Sequence, residues 1–201
     1  MARAHDHEIV SIYPFTDEEV DQLATHSQEC VLMWSTRDGW PVGVTHAFVW
    51  HDGKIWLTFA AHRHRAAAIR RDARVSVNVS SAAYRAGSPS SLPQGAITFK
   101  GRAAFFEDDD TKKWFYSALS SKRFPGSESG EKFFYSVLDS PLRTILAIAP
   151  VPLPGRDVGV RFPLRELAFS QLCTRIGAPP AYIRNLPAKL QMANMNWGMT
   201  R

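Results

Sequence analysis

Between Thr58 and Arg71 the sequence gathers residues suited to holding a small anion: a hydroxyl at Thr58, then His62, Arg63, His64 and Arg65, and, beyond a run of alanines, Arg70 and Arg71. The alanines favour helix, and the preceding apolar run favours strand. The basic group therefore sits at a strand-to-helix junction, where the free amides of a helix start add positive potential to the side-chain charge. That combination suits a phosphate dianion. The competing description is a solvated basic helix start, and the strand-helix context is what favours phosphate. His46, mid-strand beside Thr45, could hydrogen-bond a cofactor or substrate, against the plainer role of a packed histidine. His46, His62 and His64 have no nearby cysteine or suitably spaced acid to complete a ligand set, so no metal is expected. No triad or carboxylate pair stands out, and no catalytic residue is assigned.

The elements that must position these groups follow from pattern. Thr16-Asp-Glu-Glu19 with Val20, Leu23 and Ala24 predicts a short capped helix. Val31–Trp34 and Val42–Trp50 read as paired strands, with Val42, Val44, His46, Phe48 and Trp50 on one face. His51-Asp-Gly53 is a hairpin turn leading into the strand Ile55–Phe59. After the basic helix, Val75–Val79 alternates apolar and polar, which gives it a polar face that could line a site. The serine- and proline-rich stretch Ser80–Gln94 is long for a loop and reads as a lid or a disordered segment. Further strands are expected at Gly95–Phe106, Ile145–Ala149 and Val158–Phe162, with helices at Thr111–Leu119 and Glu131–Leu138. Beyond Pro163, Leu164–Leu172 and Tyr182–Met195 could be helical. Short strands joined by hairpins, with few helices and no long repeat, predict a mainly β fold: an antiparallel barrel with peripheral helices.

Composition narrows the class. A chain of 201 residues that is 45% hydrophobic and 21% charged can bury its own core. It reads as one domain over residues 1–163, with a short N-terminal helix, and an extension over 164–201 that packs on the barrel or on a partner. No apolar run suits a membrane span and the opening residues lack a secretory hydrophobic region, so a cytoplasmic protein without a membrane partner is expected. Cys30 and Cys173 fit neither a metal spacing nor a disulfide framework and are expected to be reduced thiols. The excess of Lys and Arg over Asp and Glu, 24 against 19, gives +5 and favours anionic partners. Nucleic acid is the weaker candidate, because the charge is concentrated at one junction without a reading motif.

The order of residues resembles a known family. Gly39-Trp-Pro41, the strand to Trp50, the Asp52-Gly53 turn, Trp56-Leu-Thr58, Arg65 ahead of Ile69, Arg70 to Val77 and Ile97 to Ala103 together resemble the pyridoxamine-5'-phosphate-oxidase-like, FMN-binding split barrels. The likeness covers roughly residues 16 to 150, and the basic segment is its most specific part. It implies a Greek-key split barrel, a homodimer, and FMN at the interface, with hydride transfer at the flavin N5 to or from a small-molecule substrate and a nicotinamide as a candidate donor. By the same resemblance Val44, Thr45, His46, Ala47, Phe48 and Val49 line the ring, while Leu57, Thr58, Arg63, His64 and Arg65 face the phosphate end. Arg65 stands in for the family's phosphate lysine and His64 for the adjacent arginine, with one residue inserted after Thr58. The planar fork of Arg65 can meet two phosphate oxygens.

The departures constrain the reaction. Val44 and Val49 occupy the places where the vitamin-synthesising oxidases carry an arginine and a lysine, which argues against pyridoxamine phosphate as substrate. The glutamine used by those oxidases aligns with Ala96, with Gln94 close by. Trp34, Trp40, Trp50 and Trp56 flank the site in sequence, although large aromatics in short strands usually belong to a core or a dimer contact. Trp197 could reach a partner's pocket, as C-terminal residues of relatives do. Because one fold serves many functions, two alternatives stand beside an FMN oxidoreductase: an F420-dependent reductase, and a flavin-binding protein without turnover.

Overall fold

The computed structural model describes residues 15–151 and 159–161, within a compact unit spanning Val10–Arg161. The boundary expected at residue 163, the two tail helices, Cys173 and Trp197 lie outside the described residues. Helix α1 (Asp17–His26) begins as the sequence predicts: the Thr16 hydroxyl accepts from the Glu19 amide and the Glu19 carboxylate accepts from the Thr16 amide. Strands β1 (Glu29–Ser35), β2 (Pro41–His51) and β3 (Lys54–Ala60) follow. The β2–β3 turn puts Asp52 at φ 51° and Gly53 at φ 63°, the left-handed pair that matches the natural twist of a hairpin. Helix α2 (His64–Arg71), strands β4 (Arg74–Ser80) and β5 (Gly95–Phe106), helices α3 (Asp109–Arg123) and α4 (Glu128–Leu138), and strands β6 (Arg143–Pro150) and β7 (Gly159–Arg161) complete the order.

Every pairing is antiparallel. Six strands run β4-β1-β2-β3-β6-β5, and β5 returns to pair with β4, so the barrel closes; β7 adds beside the start of β5. Closure depends on Gly101, which pairs with Val75 on one side and Pro150 on the other. A Cβ there would lie 2.6 Å from the Ala149 carbonyl oxygen, so only glycine lets β5 pass this close to β6. Alternation sends Leu32, Phe48, Ile55, Leu57, Val75, Val77, Val79, Ile97 and Phe99 into the barrel. A second apolar layer forms outside it, where Phe115, Tyr116 and Leu119 of α3 and Leu138 of α4 cover Ile145, Ala47, Val49 and Trp56.

The Ser80–Gln94 segment is ordered, and several of its polar side chains hold it in place. Ser80 caps a 3-10 turn at Ser81–Ala83, Tyr84 pairs with Ser27 and donates its hydroxyl to the Pro93 carbonyl, and Arg85 donates to the Lys122 and Arg123 carbonyls at the end of α3. The arginine satisfies the free carbonyls of a helix C-terminus. Among the described residues no helix is long and apolar enough to cross a membrane.

Lys122, in the last turn of α3, reverses the usual lysine arrangement: its stem is partly exposed while Nζ is buried, 4.1 Å from the Phe48 ring centroid and without a hydrogen-bond partner. Burial, assisted by Arg123, lowers its pKa from 10.5 to about 8. Nearby Cys30 is buried too, and its thiol is pushed up to about 12. For Lys122 the unfolded chain binds the extra proton between pH 8 and 10.5, so its contribution favours folding progressively as pH rises through that window and the penalty is complete below it. Lys122→Met should therefore raise stability at pH 7 by roughly 1 to 3 kcal/mol and flatten the alkaline rise. Urea denaturation at neutral and alkaline pH checks this, and a variant no more stable than the parent at pH 7 refutes it.

Candidate functional site

The junction between β3 and α2 is built by backbone contacts before any side chain is considered. The Arg63 amide donates to Ala60 and the Ala61 amide to Leu142, which ties the turn to the segment preceding β6. Helix α2 is held against the barrel end by buried Ala66, Ala68 and Ile69. Its N-cap, Arg63, supplies no side-chain hydrogen bond, and its first turn contains no acid. With the Arg63 and Ala66 amides bonded to Ala60 and Arg63, the His64 and Arg65 amides and the positive end of the helix are what the start offers to an anion.

The structure divides the basic run in two. At the far end of α2, Arg70 pairs with Glu107 at 2.9 Å and lies over the Phe105 ring at 4.1 Å, while Arg71 donates to the Ser35 carbonyl. These two arginines anchor the helix. At the near end His62, Arg63 and His64 are exposed and Arg65 is half-buried, and among the described residues no carboxylate forms an ion pair with Arg63 or Arg65.

Arg65 turns towards β2. Its Nη1 lies 2.7 Å from His46 Nε2. A guanidinium can only donate, so Nε2 accepts and the imidazole proton resides on Nδ1. The Phe59 ring underlies both, 5.5 Å from the guanidinium and 5.8 Å from the imidazole. Burial first, and then the charge of Arg65, lower the His46 pKa to about 4. Burial and the like charge of Arg63 also lower that of Arg65, which nevertheless stays charged at any physiological pH. The arrangement is a partly desolvated cation whose polar partner is a neutral ring.

Beside this cluster the sheet opens. The β2–β3 ladder ends at Phe48↔Leu57, while β3 continues to Ala60 paired with β6 alone. From Val42 to Ala47 the backbone of β2 has no strand partner on its β3 side among the described residues, and such an edge can bond the polar rim of a planar ligand.

The expected site residues separate by side-chain direction. Val44, Thr45 and His46 are at least partly accessible on the open stretch, and Arg63, His64 and Arg65 gather at the helix start. Phe48 and Leu57 are fully buried in the barrel core, so their side chains cannot line a ligand. Ala47 and Val49 pack into the outer apolar layer. Thr58 is buried and donates its hydroxyl to the Thr144 carbonyl at 2.8 Å, which uses the donor expected at the phosphate. Gln94 turns back on the Leu92 carbonyl, and Ala96 lies within β5. Trp34 and Trp50 pack against the core, and Trp40 is 69% exposed. Phe59 is the residue the sequence reading missed. Its parity with Ile55 and Leu57 was the available signal, because it carries that inward-facing row one step further, to the end of β3.

A family model for pyridoxamine 5'-phosphate oxidase matches residues 16–151. No curated protein matches the chain. Among solved structures, a conserved hypothetical protein of Mycobacterium tuberculosis is similar at 19% identity and TM-score 0.56, covering 69% of this chain and 82% of that one. The heme storage protein HutZ of Vibrio cholerae is similar at 14% identity and TM-score 0.53, covering 72% and 94% respectively. At these identities the likeness is one of fold.

The His46–Arg65 contact carries a measurable signature. With a folded pKa near 4 against 6.5 for the free ring, His46 withholds a proton that the unfolded chain binds, so its contribution to stability falls as pH drops from 6.5 through 4. In an NMR titration its ring protons should move near pH 4. In Arg65→Ala the midpoint should rise but remain below 6.5, since burial is the larger cause. A midpoint unchanged by the substitution would show that the guanidinium does not act on the ring.

Proposed function

The chain belongs to the pyridoxamine 5'-phosphate oxidase family, and from that premise we propose that it is a flavin-dependent oxidoreductase holding FMN at the interface of a homodimer. The observation that carries the reading is the half-buried Arg65 guanidinium at the uncapped start of α2, paired with neutral His46 and with no carboxylate. A phosphate dianion supplies the charge this notch lacks, and Arg65 can meet two of its oxygens. The amides of the α2 start and exposed Arg63 and His64 add donors on the solvent side.

The chain's own residues also suit the rest of the ligand. The unpaired β2 backbone from Val42 to Ala47 offers polar groups to the ring edge, with Val44 and Thr45 beside it. His46, kept neutral, orients Arg65 without repelling a further cation. Phe59 closes the floor of the notch against water from the barrel side. When bound, the flavin supplies hydride transfer at its N5, and no protein acid or base is required for that step.

Further features support the finer choices. Arg70 is engaged by Glu107 and Phe105, so no line of free arginines continues along α2 for the longer acidic tail of F420 to follow, which favours FMN. Val44 and Val49 are neutral where a second phosphate would need cations, which disfavours pyridoxamine phosphate as substrate. Exposed Trp40 and Val44 beside an open strand edge are apolar surface that a second copy would cover.

Purified protein should show flavin absorbance or acquire it on adding FMN, and Arg65→Ala should weaken FMN affinity by roughly 1 to 3 kcal/mol with the far-UV spectrum unchanged. Failure to bind either FMN or F420 refutes flavin dependence, and an unaltered affinity in the variant moves the phosphate elsewhere.

A further inference from the structure

A second concave site lies on the outer face of the barrel, between the β2–β3 turn and the first turns of α3, and its chemistry is opposite to that of the Arg65 notch. The recess, about 550 Å³, is lined by His51, Asp52, Trp56, Asp110, Thr111 and Trp114. Trp56 and Trp114 form two walls, with centroids 5.1 Å apart and planes at 73°. The His51 ring lies 4.7 Å from Trp114, and Phe106 backs Trp56 at 5.2 Å. The two indoles meet edge to face, and the part of each ring left uncovered lines the recess, where both side chains remain partly exposed. Trp56 Nε1 already donates to the His51 carbonyl at 3.2 Å, so that indole offers a face and no free donor.

The rim is acidic. Asp52 is held anionic by its hydrogen bond and ion pair with Lys54. Asp110 lies one helical turn before Trp114, on the same face of α3, and makes no ion pair among the described residues. Asp108 is spent capping α3 on the Thr111 amide and Asp109 pairs with Lys112 at 4.0 Å, which leaves Asp110 as the acid at this rim whose charge no ion pair among the described residues offsets.

From this geometry we infer that the recess binds a small methylated or quaternary ammonium ion. An anion is repelled by Asp52 and Asp110. A neutral apolar ligand would cover the carboxylates without compensating them. A primary ammonium or a metal ion is more strongly hydrated and so gains less from exchanging its water for aromatic faces than a methylated ammonium does. A methylated ammonium is weakly hydrated, carries its charge on CH groups that pack on the indoles, and is neutralised first by Asp110, with Asp52, already paired with Lys54, as the outer acid. This reading is independent of the flavin proposal.

Choline and its neutral isostere 3,3-dimethyl-1-butanol separate charge recognition from simple apolar contact. In saturation-transfer NMR on the full chain at constant ionic strength, choline should give a saturable signal and the alcohol should not. Asp110→Asn, an exposed substitution, should weaken choline binding roughly two- to fivefold, and Trp114→Leu should weaken it by at least about fivefold. Trp56→Phe serves as a second wall variant if Trp114→Leu does not fold, and is expected to weaken binding in the same direction. No saturable signal by about 20 mM choline, equal binding of the alcohol, or wall variants that fold and bind as the parent does would each overturn the assignment.

Discussion

The parting of β2 from β3 beyond Phe48 and Leu57 is the constraint on which the rest of the molecule depends. A barrel ladder that stops early leaves backbone groups and an apolar interior facing water, and both must be filled, covered or bonded. Helix α2 covers part of the barrel core, placing Ala66 and Ile69 in it and packing beside β1. Small residues let the helix come close. Once it is seated there, Arg65 has little choice of direction: its neighbour Ala66 is buried, and the guanidinium falls beside His46 over Phe59. The gap in the sheet and the cation beside it thus meet at His46, on the stretch of β2 that the early end of the ladder leaves open.

Lys122 and Arg65 are both drawn from water without an ion pair to a carboxylate among the described residues, and comparing them shows why one marks function and the other does not. Lys122 Nζ is sealed against Phe48 with no hydrogen bond. Nothing from solution reaches it in the folded chain, so its burial acts only on stability. Arg65 is also short of negative charge, but it lies at an opening beside free helix donors and an unpaired strand edge. A ligand can therefore supply what the protein withholds, which is the usual reason for a fold to keep an unbalanced charge at a cleft. Neutral His46 strengthens the distinction, because a carboxylate in its place would satisfy Arg65 internally and remove the attraction for an anion.

Much of this was legible in the sequence because local chemistry and tertiary need agree. The Thr16–Glu19 box, the Asp52-Gly53 turn and the alternation of β4 each follow from a few adjacent residues, and β5 runs over Gly95–Phe106 as its pattern requires. The basic segment was recognisable as a unit, but its division was not: Glu107 and Phe105, which engage Arg70, lie far along the chain. Thr58 read as a phosphate donor because its strand position suits one, whereas the Thr144 carbonyl that takes its proton comes from β6. The Ser80–Gln94 segment misled for a related reason. Its serines and prolines resemble a mobile loop, and what orders it is long-range: Tyr84 against Ser27, and Arg85 on the end of α3.

Strand β3 finally explains how one small barrel can carry two sites of opposite preference. Its inward row, Ile55, Leu57 and Phe59, builds the core and ends as the floor beneath Arg65 and His46. Its outward row includes Trp56, which meets Trp114 under the acidic start of α3. Period-two alternation separates the two rows to opposite faces of the sheet, so the basic run after β3 and the aspartates before α3 do not neutralise each other across it. The net charge of +5 therefore describes neither surface. What decides ligand choice is the local surplus, cationic where α2 begins beside the open ladder and anionic where α3 begins against the hairpin, and the strand between them holds the two fields apart.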